Sequence, residues 1–120
     1  MLSLDNKYVF HIPLYKYEDN KLIRLDIDGI LANLMEQLNN EGYESLYITE
    51  VKSYFKSRSF DELLVTLFIS QKRVSDNKQE LPDKVFKRWF KQNNHILRQE
   101  AFAYEHNNSM IIESLRIDLV

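Results

Sequence analysis

The sequence predicts an α+β sandwich, two helices on one face of an antiparallel sheet, and three observations carry that prediction. First, Ser45 to Ser70 holds two runs rich in Tyr, Phe, Val, Ile, Leu and Thr around a polar break at Lys56-Ser57-Arg58-Ser59, the pattern of a long β-hairpin. Second, apolar residues recur at helical spacing in two stretches, one before this hairpin and one after it. Third, strand-like alternation returns at both ends of the chain, giving the order strand, helix, strand, strand, helix, strand. A βαββαβ series closes most simply as a ferredoxin-like sandwich. Short additional strands are expected after the first strand and at the C-terminus. Residues 1–120 are read as a single α+β domain, since 44% apolar and 28% charged residues suit a folded chain of this length.

From Lys7 to Tyr17 the chain alternates, with Tyr8, Phe10, Ile12 and Leu14 on one face and Val9, His11, Pro13, Tyr15 and Tyr17 on the other. Pro13 lacks a ladder donor, so the strand is interrupted or lies partly at an edge there. Glu18 to Lys21 reads as a turn, and Leu22 to Leu25 as a short return. Asp26 or Asp28 supplies a carboxylate for the orphan amides of the first helix. Ile27, Ile30, Leu31, Leu34, Met35 and Leu38 form that helix's apolar stripe, and Gly42 stands where a left-handed cap belongs.

With a four-residue turn in the hairpin, Phe55 faces Phe60, Val51 faces Leu64, Thr49 faces Thr66 and Tyr47 faces Phe68. One face then carries Leu46, Ile48, Leu63, Val65, Leu67 and Ile69, which two covering helices would bury. The opposite face carries Tyr47, Phe55, Phe60, Glu62 and Phe68 and is left open. Gln71 to Glu80 is polar and aperiodic and reads as a mobile surface loop. Pro82 opens the second helix, whose stripe is Val85, Phe86, Trp89, Phe90, Asn93, Ile96 and Leu97. Lys84, Lys87, Arg88 and Lys91 form its solvent side. Glu100 to His106 and Met110 to Leu115 read as strands around Asn107-Asn108-Ser109.

The composition narrows the function classes. No cysteine is present, so disulfides, thiol nucleophiles and cysteine zinc sites are excluded. With only Gly29 and Gly42, the chain has no glycine-rich nucleotide loop, and neither GxSxG nor HExxH occurs. No cofactor motif stands out. The N-terminus lacks the pattern of a secretion signal, and no window approaches a membrane span, so a soluble cytoplasmic protein is the expectation. A net charge of −2 argues against a dedicated duplex binder. The RNA-recognition motif has this βαββαβ order, and Arg58-Ser59-Phe60-Asp61-Glu62-Leu63 resembles part of its longer motif. The glycine of that motif is missing, and Glu62 stands where a stacking aromatic belongs, so nucleic acid is not the expected partner.

Two functional readings remain. In the first, Tyr47, Phe55, Phe60 and Phe68 form an apolar binding surface through which the chain homodimerises. A cleft between the paired sheets then holds a small ligand or abuts a protein partner. In the second, His11 with Glu62 or Tyr15 is an acid–base pair of a small cofactor-free enzyme. His11, His95 and His106 are the only histidines and show no metal-ligand spacing, although Glu105, His106 and Glu113 could meet across the last hairpin.

Overall fold

The computed structural model describes residues 3–55 and 57–115, the Phe55 side chain apart. Its elements in order are β1 (Asn6–Pro13), β2 (Tyr15–Glu18), β3 (Lys21–Arg24), α1 (Asp28–Asn40), β4 (Leu46–Phe55), β5 (Arg58–Ile69), α2 (Gln71–Asp76), α3 (Pro82–Leu97), β6 (Ala101–His106) and β7 (Ser109–Ser114). Five strands form one antiparallel sheet in the order β4-β5-β1-β6-β7, and β2 and β3 form a separate two-stranded ribbon.

The core lies between this sheet and the helices. Tyr8, Phe10 and Ile12 of β1, Val65, Leu67 and Ile69 of β5, and Phe102 and Tyr104 of β6 are buried there with Leu34, Leu38, Val85, Phe86, Trp89, Phe90 and Leu97. Phe10 stacks on Phe86 at 4.4 Å, and Phe86 meets Phe90 and Phe102 edge-on at 5.7 Å each. Trp89 Nε1 donates to the Ile30 carbonyl at 2.7 Å, pinning α3 to α1. The Gly42 cap forms as the sequence indicates. Gly42 sits at φ +101°, and the Gly42 and Tyr43 amides donate to Asn39 and Leu38. At the other end of α1, Asp26 accepts from the Asp28 amide at 3.3 Å.

Several expectations need correction. The β4–β5 hairpin has Phe55 opposite Arg58, Val51 opposite Glu62, Thr49 opposite Leu64 and Tyr47 opposite Thr66. The turn is therefore two residues long, with Ser57 at φ +63°, rather than four. A shift of two leaves every side chain on its expected face, because strand periodicity is also two. Residues Gln71 to Asp76 are helical, not loop: the Ser70 hydroxyl caps the Arg73 amide and Val74 is buried. Nor do the helices cover all of the aliphatic face. Ile48 remains 41% exposed, since β4 is the sheet edge while α3 packs over β1 and β6. As Pro13 indicates, the first strand ends there, and the chain bends at Leu14 into the ribbon, whose turn residues Asp19 and Asn20 take φ +52° and +62°. Among the described residues, no helix is long and apolar enough to cross a membrane.

Candidate functional site

Odd positions of β1 face away from the helices, and His11 stands among them in the middle of the sheet. Its backbone partners are Leu64 on β5 and Ala103 on β6. Glu62 on β5 lies opposite Pro13, and Glu105 on β6 lies opposite Val9, so the two carboxylates flank His11 along one diagonal. Nδ1 of His11 is 3.1 Å from Glu62 Oε1, and Nε2 is 2.7 Å from Glu105 Oε2. From β4, the Ser53 hydroxyl donates to the same Glu62 oxygen at 2.8 Å. Four neighbouring strands thus contribute one residue each to a chain Ser53–Glu62–His11–Glu105.

The electrostatics follow from this geometry. Burial disfavours the imidazolium, but hydrogen bonds and charge from Glu62 and Glu105 outweigh it, so His11 titrates above its ordinary value. Burial likewise disfavours the Glu62 carboxylate, yet the bonds from His11 and Ser53 hold its titration below the ordinary range. When both ring nitrogens donate to the carboxylates the ring is an imidazolium, and the trio then carries one net negative charge. His11 and Glu62 side chains are each 17% exposed, and Glu105 is 35% exposed. Glu105 is the member that reaches solvent.

Alternation puts His11 and Glu62 on the same open face of the sheet, and the structure brings them together. Alternation alone does not tie Glu105 to His11. Phe102 and Tyr104 are large and buried while Ala101, Ala103 and Glu105 alternate with them, and that alternation was the available signal. Tyr15 is elsewhere: its hydroxyl is 3.5 Å from Asp61 and Arg24 lies over its ring, because the bend at Leu14 ends the alternation that tied it to His11. Tyr47 and Phe68 are exposed on the open face and Phe60 is partly buried, whereas the Phe55 side chain falls outside the described residues. The last hairpin does not gather Glu105 and Glu113. Glu113 lies opposite Phe102 and bonds Lys87 on the helix side, while Glu105 faces the other way. Among the described residues, no three His, Asp or Glu are grouped to hold a metal ion. In the trio itself the carboxylates sit against opposite ring nitrogens.

A second polar group lies on the helix side, where Tyr104 donates to Asp83 at 3.3 Å. Burial and the nearby Asp83 charge push the Tyr8 and Tyr104 hydroxyls up to about 12. Three clefts, beside α2, at the β3–α1 connection and next to Arg98, are lined by other residues than the His11 trio.

No family model matches the chain, and no curated protein matches it by sequence. Its fold does resemble solved structures. A phage SAM lyase in the apo state superposes with a TM-score of 0.59 over 93% of this chain and 90% of its own, at 6% identity. The phage SAM lyase in complex with S-methyl-5'-thioadenosine gives 0.57 over 91% and 88%, also at 6% identity. At that identity the likeness is one of fold. The chain is a mixed α+β structure whose structural neighbours are phage SAM lyase.

Proposed function

We propose that this protein binds a cationic sulfonium metabolite of the S-adenosylmethionine class on its open sheet face and cleaves it without a cofactor. The observation that carries this reading is the Ser53–Glu62–His11–Glu105 chain, which puts a net negative charge on that face of a fold resembling a phage SAM lyase. An anionic group attracts a sulfonium, but the positive charge disappears as the carbon–sulfur bond breaks. Charge alone therefore favours binding over turnover, and catalysis needs the carboxylate to act as a base. In the elimination we assign, a Glu105 oxygen takes a proton from the carbon β to sulfur. The C–H pair becomes a carbon–carbon double bond, and the carbon–sulfur pair leaves on sulfur. The products are S-methyl-5'-thioadenosine and an unsaturated four-carbon amino acid, with no oxidant, reductant or water consumed.

The trio stands on an open sheet surface, and a ligand there needs a second wall. We assign that wall to another copy of the chain, paired through the open face as a homodimer. Tyr47, Phe68, Met110 and Ile112, all exposed on that face, support the pairing. We also assign the sheet to the ferredoxin-like type and residues 1–120 to one domain. What supports the first is that β4-β5-β1-β6, with α1 and α3, remains when the ribbon, α2 and β7 are set aside.

The test is incubation of the purified protein with S-adenosylmethionine, followed by mass spectrometry for S-methyl-5'-thioadenosine. Product should form, and Glu105→Gln should lower its rate by about 10²-fold or more, the usual contribution of a general base. Absence of product from the intact protein would overturn the reading.

A further inference from the structure

We propose that Ser53, Glu62 and His11 are positioning residues and that Glu105 alone contacts the cationic centre of the ligand. This division of labour rests on the sulfonium reading above and deepens it.

The two glutamates are chemically alike but differently engaged. One oxygen of Glu62 receives two donors, the Ser53 hydroxyl at 2.8 Å and His11 Nδ1 at 3.1 Å, and the side chain is 17% exposed. A carboxylate so occupied gains little from a further cation and is costly to desolvate more deeply. Among the described residues Glu105 receives only His11 Nε2, at 2.7 Å on Oε2, and it is twice as exposed at 35%. Glu105 shares the open face of β6 with the small Ala103. His11 cannot itself be the base, because each ring nitrogen already faces a carboxylate. What the ring can do is fix the Glu105 carboxylate in one rotamer, just as Glu62 and Ser53 fix the ring. The groups that face His11 from each packed strand are Ser53 on β4, Glu62 on β5 and Glu105 on β6; Lys7, four residues back on β1, has its ammonium 5.8 Å from the Phe68 ring. The chain therefore runs from the partly buried Ser53 on the edge strand, through Glu62 and His11 at 17% exposure each, to the more exposed carboxylate of Glu105 at 35%.

Carboxyl carbon resonances of selectively labelled glutamate in the intact protein test this, with S-adenosylmethionine and, separately, trimethylsulfonium as probes. Each cation should move the Glu105 resonance and leave that of Glu62 in place. Glu105→Gln should weaken binding of either cation roughly tenfold, the loss of one charge-assisted contact. Ser53→Ala and Glu62→Gln should instead lower the titration of the His11 ring, which a ligand contact would not require. Movement of Glu62, or of neither carboxylate, overturns the assignment whatever the turnover assay gives. A shifted Glu105 without S-methyl-5'-thioadenosine production leaves this assignment standing and overturns the lyase reading. Product formed with no Glu105 shift does the reverse.

Discussion

At the scale of single residues, His11 couples stability to pH in a direction that can be worked out. Its titration is raised above 6.5, so its contribution is complete below that value and is lost as pH rises through the elevated folded value. Glu62 is held below 4.5, so its contribution is complete above that value and is lost as pH falls through the depressed folded value. The pair therefore stabilises most between those two ordinary values. His11→Ala leaves the half-buried Glu62 carboxylate with Ser53 as its remaining side-chain donor, and should cost about 1–3 kcal/mol at pH 6. Urea denaturation of both proteins at pH 6 and pH 9 checks this: the difference should shrink at the higher pH, and a constant difference would mean that the ring is not an imidazolium. The His11–Glu62 half of the site was legible beforehand, because alternation assigned each residue to the open face and topology made their strands neighbours. Glu105 was missed for want of a register between the first and last strands. Nothing local encodes that register. It is set by how Phe102 and Tyr104 pack against Phe10 and Phe86 across the core.

At the scale of elements, the turns and caps carry the local information. Gly42 ends α1 in a conformation that L side chains rarely adopt, and a Cβ there would collide with the Gln79 side chain, which bonds the Glu41 carbonyl at 2.8 Å. Gly42→Ala should therefore destabilise the protein by about 1–2 kcal/mol through backbone strain alone, read as a drop in melting temperature. An unchanged melting temperature would mean that the α1 cap relaxes freely. The hairpin teaches the converse lesson. Its two strands were evident from composition, but the turn length was not, since Lys56-Ser57-Arg58-Ser59 contains no Gly or Asn to mark the positive-φ position. Ser57 takes that position instead. Likewise α2 hides in a polar stretch because only Val74 is buried, and one apolar residue makes no stripe. The β2–β3 ribbon is held to the β4–β5 hairpin by Arg24 bonding Asp61 and by Arg58 bonding Tyr17 with its guanidinium over that ring. Contacts between such distant positions cannot be read from either segment alone.

At the scale of the whole molecule, one sheet face packs into the core except at the β4 edge, and the other bears both the His11 chain and exposed apolar side chains. Ile112, at 70% exposed, lies opposite Ala103 on this open face. If the open faces pair, light scattering should report a dimer at micromolar concentrations, and Ile112→Glu should shift it toward monomer without loss of helical circular dichroism. A strict monomer in the unsubstituted protein would remove the dimer from the proposal. The fold resemblance to a phage SAM lyase covers nearly the whole chain at 6% identity, so the shared property is the arrangement of elements, not their residues.

The sequence by itself determined the strands and helices other than α2, which side of the β1, β4 and β5 strands meets the core, and that His11 and Glu62 share the open face. Those properties depend on periodicity and local backbone preference, which neighbouring residues set. Only the tertiary structure decided that β1 lies between β5 and β6 in a register that closes Glu62, His11 and Glu105 into one chain, and that Tyr15 turns away from it. Those outcomes depend on packing between residues far apart in the chain, where one register rather than another wins by the fit of Phe10, Phe86, Phe102 and Tyr104.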